Sequence, residues 1–138
     1  MIRVYVASPF KGATVEETRQ NIVYARLCML DSLERGEAPY LSHLLYTQVW
    51  AETDELRDAG LRAGDAMREA CDLVALYTDL GVTPGMQRAL DATPFGKSVG
   101  RNVHFRTAKA LDALDTPAEW RKRLAVMSLD GFPALERP

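Results

Sequence analysis

A chain of 138 residues is the size of one domain, enough to bury roughly two-thirds of its unfolded surface around a single core. With 47% hydrophobic and 26% charged residues, it is neither disordered nor fibrous. Seventeen basic against nineteen acidic residues, a net charge of -2, give no indication of a basic groove for a nucleic-acid polymer and leave room for a local cationic pocket for one phosphate.

No apolar run approaches the roughly 18 residues of a membrane span. The opening MIRVYVASPF reads as a β-type stretch rather than a signal peptide. Cys28 and Cys71 lack metal-ligand spacing and read as small buried hydrophobes. The expectation is a cytoplasmic protein with no membrane partner, no metal and no cofactor, folded as one domain over 1–138 with its core in 1–104.

In chain order, Ile2–Ala7 is β-branched and aromatic, as a strand covered on both faces should be. Thr14 and Glu17 have capping-box spacing and open a helix with Ile22, Ala25, Met29 and Leu33 on one stripe, closed by Gly36. Pro39–Leu41 is a short second strand, and SHLLYTQVW is a shaped loop rather than a linker. A second helix from about Thr53 to Ala70 places Leu56, Ala59, Ala63, Met67 and Ala70 on one face, and such an apolar stripe ordinarily meets a core. Leu73–Tyr77 is the next buried strand. Thr83 as N-cap with Pro84 at the first helical position starts a third helix reaching about Thr93. A weak strand at Ser98–Val103 and helices at Thr107–Leu114 and Pro117–Met127 follow, the last opened by Thr116 and Glu119, and DGFPALERP is a tail. Strands separated by helices imply an α/β fold: a Rossmann-like, flavodoxin-like three-layer sandwich with a mainly parallel sheet of four to five strands.

In such sheets ligands bind beyond the carboxyl ends of the strands, where successive connections diverge. The first loop, Ser8-Pro9-Phe10-Lys11-Gly12, offers a hydroxyl, an aromatic face, a cation and a glycine before a helix, and backbone N–H groups there attract anions. A plain turn with a solvated lysine fits those residues equally well. The loop from Asp79 to Met86 sets Gly81 and Gly85 around the capping Thr83, which suits a phosphate, although many parallel-sheet proteins carry such turns. His43 lies with Tyr46, Gln48 and Trp50 at the same edge. Asp65 reads first as a solvated helix residue, and Asp72 as a partner of nearby backbone.

Taken in order, VYVASPFKG with Asn21, PYLSHLLYTQ, LRDAGLRAGDAMREACDLVALY, and GVTPGMQRALDA followed by GKSV resemble the nucleoside 2-deoxyribosyltransferase-like superfamily over Ile2 to Val99. That superfamily includes deoxyribosyltransferases and nucleoside 5'-monophosphate N-glycoside hydrolases. The resemblance implies cleavage of an N-glycosidic bond through an oxocarbenium-like transition state, with a helix glutamate as covalent nucleophile. It assigns the orienting tyrosine to Tyr5 and the aspartate that protonates the leaving base to Asp65. Ser8, Pro9, Phe10, Lys11, Gly12, Thr83, Gly85 and Met86 would surround sugar and phosphate, with Arg19 a further cation, Asp79 nearby and His43 over the base. A small-molecule nucleotide is the implied partner, and a homodimer or larger homo-oligomer the implied assembly.

The nucleophile is missing. The superfamily's glutamate falls on Ala89, and Asp91 lies about 200° further round the helix. The chain is then a Glu→Ala form that binds without turnover, a natural nucleotide-binding or sensor protein, or an enzyme using Asp79 or Asp65 instead. The first is favoured, because the other elements of the pattern are intact. Hydrolysis of a nucleoside 5'-monophosphate is the expected activity of the scaffold, with deoxyribosyl transfer the alternative.

Overall fold

The computed structural model describes residues 1–49, 53–91, 103–108 and 116–129. Along them run β1 (Arg3–Ala7), α1 (Val15–Glu34), β2 (Ala38–Tyr40), α2 (Ser42–Leu45) passing into a 3-10 turn (Tyr46–Gln48), α3 (Asp54–Ala70), β3 (Leu73–Tyr77), α4 (Pro84–Asp91), β4 (Val103–Arg106) and α5 (Pro117–Ala125). The four strands form a parallel sheet in the order β2-β1-β3-β4. The connection from β1 moves to one side of the sheet and the next crosses back, so with right-handed crossovers α1 covers one face and α3 with α4 the other. This is the three-layer α/β sandwich expected from the sequence, with its switch point between β1 and β3.

Alternation along β1 divides the core. Val4 and Val6 face α1 and α5, packing with Tyr24, Leu27, Cys28, Ala75, Tyr77, Trp120 and Leu124. Tyr5 and Ala7 face the opposite layer, with Val74, Leu76, Met86 and Ala89. Three caps are those the sequence names: Thr14 Oγ1 accepts from Glu17 N at 3.1 Å, Thr83 Oγ1 from Met86 N at 3.3 Å and Thr116 Oγ1 from Glu119 N at 3.2 Å, and Thr53 Oγ1, at the expected start of the second helix, likewise accepts from Leu56 N at 3.4 Å. Gly36 ends α1 at φ 78°, a conformation that favours glycine. Asp72 accepts from Arg3 N at 2.7 Å, as its structural reading requires.

Several expectations are corrected. The segment read as a shaped loop after β2 is helical, α2 and its 3-10 turn. Strand β4 lies at Val103–Arg106 and shares only Val103 with the Ser98–Val103 expected. Residues 98–102, the end of helix three at Thr93, Trp50 and the tail from 130 lie outside the described residues, and Thr107 and Ala108 are not helical. The buried stripe of α1 runs through Asn21, Tyr24, Ala25, Cys28 and Asp31, rotated from the one expected, so Leu33 is exposed.

A buried polar network ties β4 to the α1–β2 junction. The Arg106 guanidinium forms a bidentate pair with Glu37 at 2.6 and 2.7 Å, and Ser32 Oγ donates to Glu37 at 2.9 Å. Tyr77 Oη donates to Asp31 at 2.7 Å, and Arg35 reaches the same Asp31 oxygen at 2.8 Å. Hydrogen bonding to Arg106 holds the Glu37 carboxyl below its ordinary range against the opposing effect of burial. Stability from this group is therefore present above the unfolded value of about 4.3 and is lost as pH falls through the lower folded value. Glu37→Gln, which removes one partner of a buried pair, is expected to cost about 3 kcal/mol near neutrality in urea denaturation. The deficit should shrink as pH falls below about 4.

Candidate functional site: a cationic cleft between α3 and α4

Helix α3 faces the opposite way from the sequence expectation. Leu56 and Met67, on the stripe predicted to enter the core, are 48% and 41% exposed, and Ala59 and Ala70 are also exposed. The inward face carries Arg57, Leu61, Gly64 and Arg68, which fall within an arc of about 60° on a helix, with Gly60 and Asp65 at its margins. A helix that turns charged and glycine positions toward the sheet cannot fill the space above it. The result is a cleft of about 370 Å³ between α3 and α4, closed at one end by α2 and floored by Tyr5.

Each wall has a local cause. Gly64 is buried, and a Cβ there would stand 3.2 Å from both Cβ and Oγ of Ser42, so its lack of a side chain allows α2 to approach α3. That approach brings Ser42 Oγ to 2.9 Å from the Tyr5 hydroxyl. Arg68, 6% exposed, lies with its guanidinium 5.8 Å above the Tyr5 ring and donates to Asp65 Oδ1 at 2.8 Å. From the facing helix, Arg88 donates to Asp65 Oδ2 at 2.9 Å. Asp65 thus bridges α3 and α4 with both carboxylate oxygens. Tyr46 lines the end of the cleft, its hydroxyl accepting from Tyr40 Oη at 2.6 Å. Ala89 faces the cleft on the α4 side and packs with Tyr5 and Met86 beneath it.

Of the residues named from sequence, Tyr5, Asp65, Gly85 and Ala89 converge on this cleft. Met86 is buried beneath it, and Thr83 caps α4 beside it. The first loop is spent elsewhere. Gly12 N donates to Thr18 Oγ1 at 2.9 Å, and a Cβ on Gly12 would strike Glu17 at 2.6 Å, so this glycine serves the start of α1. Ser8 and Pro9 are buried, Lys11 is exposed and outside the cleft lining, and Phe10 lines a separate groove of about 1140 Å³. Phe10 O accepts from Asn21 Nδ2 at 2.7 Å.

Two expected ligand contacts lie on the opposite layer. Arg19 donates to the carbonyls of Leu124, Ala125 and Met127 at 3.3, 3.0 and 2.6 Å and pairs with Glu16, satisfying the end of α5. Asp79 accepts from Tyr24 Oη at 2.6 Å and Ala108 N at 2.8 Å, which removes it as a substitute nucleophile at Ala89. The sequence reading did not place Arg57, Ser42, Gly64, Arg68 or Arg88 in the site. The signal for the α3 members was the shared face of Arg57, Gly64 and Arg68 with an acid at its edge.

With this geometry in hand, residues 2–106 match a family model described as a domain of unknown function, DUF7768. The chain belongs to that family. Comparison with curated proteins and with solved structures finds no match. The matched span of the DUF7768 domain takes in the whole sheet and every wall of the cleft. Among its described residues no helix is long and apolar enough to cross a membrane, and no three His, Cys, Asp or Glu side chains cluster as a metal site.

His43 stands next to the cleft wall at Ser42, with Nε2 at 2.8 Å from Ser8 Oγ and its ring edge-on to Phe10. Burial lowers its pKa to about 4, so the imidazole is neutral at physiological pH and accepts from, or donates to, the Ser8 hydroxyl without charge. The folded value lies below the unfolded value of about 6.5, so the unfolded chain binds the proton first and stability falls as pH drops between those values. The His43 ring signals in NMR are expected to titrate at about pH 4. His43→Gln should flatten the stability profile between about pH 6.5 and 4.

Proposed function

We propose that the α3–α4 cleft binds a nucleoside 5'-monophosphate, on a scaffold of the N-glycoside hydrolase and deoxyribosyltransferase type whose nucleophile position is Ala89. One juxtaposition carries the reading: Tyr5 and Ala89, the two positions the resemblance pairs as orienting group and nucleophile, line the same cleft together with three arginines and one aspartate. Its volume falls at the small end of the range for small-molecule sites. An apolar strip at Ala89, a phenol and hydroxyl at Tyr5 and Ser42, and guanidinium charge along the rim match the parts of a nucleotide: sugar, hydroxyls and phosphate.

The chemistry follows from what stands around the anomeric carbon in that pose. Cleavage of an N-glycosidic bond builds positive charge at C1', which a carboxylate stabilises and then captures as a covalent glycosyl intermediate. The methyl group of Ala89 does neither. Asp65 cannot readily substitute, since it is held as the counter-ion of the buried Arg68 guanidinium. It acts as the counter-ion that fixes Arg68 and Arg88 rather than as the acid for the leaving base. The chain therefore binds nucleotide and leaves the bond intact.

A second reading, a natural nucleotide sensor, is favoured by the apolar packing of Ala89 with Met86 and Tyr5. Restoring the acid separates the two. Ala89→Glu is expected to release free base from at least one member of a ribo- and deoxyribonucleoside monophosphate panel, followed by chromatography, at a rate about three orders of magnitude or more above the parent chain and the Ala89→Gln control. Binding without release in Ala89→Glu would establish the sensor reading. No binding of any nucleotide to the parent chain would refute both.

A further inference from the structure

The cleft is cationic in a chain whose net charge is -2. Its lining holds three arginines against one carboxylate, Asp65. The three are not equivalent. Arg68 is 6% exposed and, held by Asp65 over the Tyr5 ring, is part of the floor. Arg88 is 46% exposed and meets Asp65 across the cleft, where solvent screens the pair and makes exchange for another anion cheap. Arg57 is exposed and has no ion-pair partner among the described residues. Pro84 and Gly85 bring the first turn of α4 to the same wall, where the positive end of its dipole adds to the field.

We infer that Arg57 and Arg88 are the groups that recognise the ligand's phosphomonoester, and that Asp65 is an internal stand-in anion which gives Arg88 up when the phosphate enters. This rests on the nucleotide reading for what the rest of the ligand is, but it assigns the phosphate to α3 and α4 instead of the Ser8–Gly12 loop. Lys11 lies outside the cleft lining, and the Gly12 N–H is bonded to Thr18. A guanidinium presents two N–H groups in one plane and so matches two phosphate oxygens at once. Asp65 keeps Arg68 and loses only its half-exposed partner, so no buried charge is stranded by the exchange.

The sign of the Asp65 effect separates this assignment from a role in holding or protonating the base. A base-contacting acid loses affinity when replaced by asparagine. A competing internal anion does the reverse. Isothermal titration of the full chain with inorganic phosphate, ribose 5-phosphate, the common nucleoside 5'-monophosphates and the matching nucleosides reads both.

Arg57→Gln and Arg88→Gln should each weaken the phosphate-bearing ligands about tenfold or more while leaving nucleosides unchanged. Asp65→Asn should tighten phosphate-bearing ligands severalfold, and raised salt should erode the difference. Arg57 is exposed and outside every described ion pair, so Arg57→Gln remains informative if thermal unfolding shows Asp65→Asn to be misfolded. Nucleotide binding insensitive to both arginines, or weakened by a folded Asp65→Asn, would overturn the phosphate assignment and leave the nucleotide reading standing. Arginine-dependent binding of ribose 5-phosphate no weaker than that of any nucleotide would keep the phosphate assignment and overturn the nucleotide reading. Absence of binding by every probe would overturn both.

Discussion

Strand β1 is hydrogen-bonded along both edges, to β2 and to β3, and its side chains alternate between two layers of unlike character. Val4 and Val6 are fully buried beneath α1, in a layer whose polar groups are largely paired inside the fold. Tyr5 and Ala7 face a layer that closes only in part, because α4 covers the β3 side with Met86 and Ala89 while α3 stands off with a polar face inward. The cleft is the space left between those two helices. Its floor is fixed by the period of a strand, so Tyr5 could not leave it without shifting the whole β1 register.

Two ion networks show how differently the layers treat charge. Arg106 and Glu37 are both nearly buried, paired through two short bonds and supplemented by Ser32, which leaves little capacity for a ligand. A pair of that kind holds distant segments in register and is costly to break from one side only. In the cleft, one carboxylate serves two guanidiniums from different helices and a third arginine has no described counter-ion. Burial explains why Asp65 is retained: Arg68 under the lip of α3 would otherwise be a desolvated, uncompensated charge. Exposure explains why the other half of the bridge is exchangeable. Structural networks balance their charges; the imbalance here is what an anionic ligand would relieve.

Much of the frame was legible in the residues because its signals are local. The hydroxyls of Thr14, Thr53, Thr83 and Thr116 stand at the helix starts they suggest, Gly36 adopts the positive φ its position implies, and the apolar runs at β1 and β3 are central strands. Helix α3 was legible in its span but not in its orientation. Hydrophobic periodicity gives the direction of the apolar stripe and leaves open whether that stripe meets this sheet, and here Leu56 and Met67 point away. The arginines of the site were hidden by that inversion, since they read as a solvated face. The first loop failed for another reason. Its glycine and N–H groups have the composition of an anion cradle, but Glu17 and Thr18 of α1 consume them, a competition that only the folded turn reveals.

The side chain at position 89 then sets the proposed site apart from a glycosidase. In the proposed complex Arg57, Arg88 and the α4 dipole would act on a phosphate that carries the same charge before, during and after bond cleavage. They would hold ground state and transition state equally and so contribute affinity without rate. Only a group facing C1' meets charge that appears in the transition state alone, and on the α4 wall that place is a methyl packed against Met86 and Tyr5. A carboxylate there would lie in a cleft already supplied with guanidinium charge, which would help keep it ionised. The cationic wall therefore suits a nucleophile at 89 as well as it suits a ligand phosphate. The frame that would bind an anion is the same frame that would accept an acid at position 89.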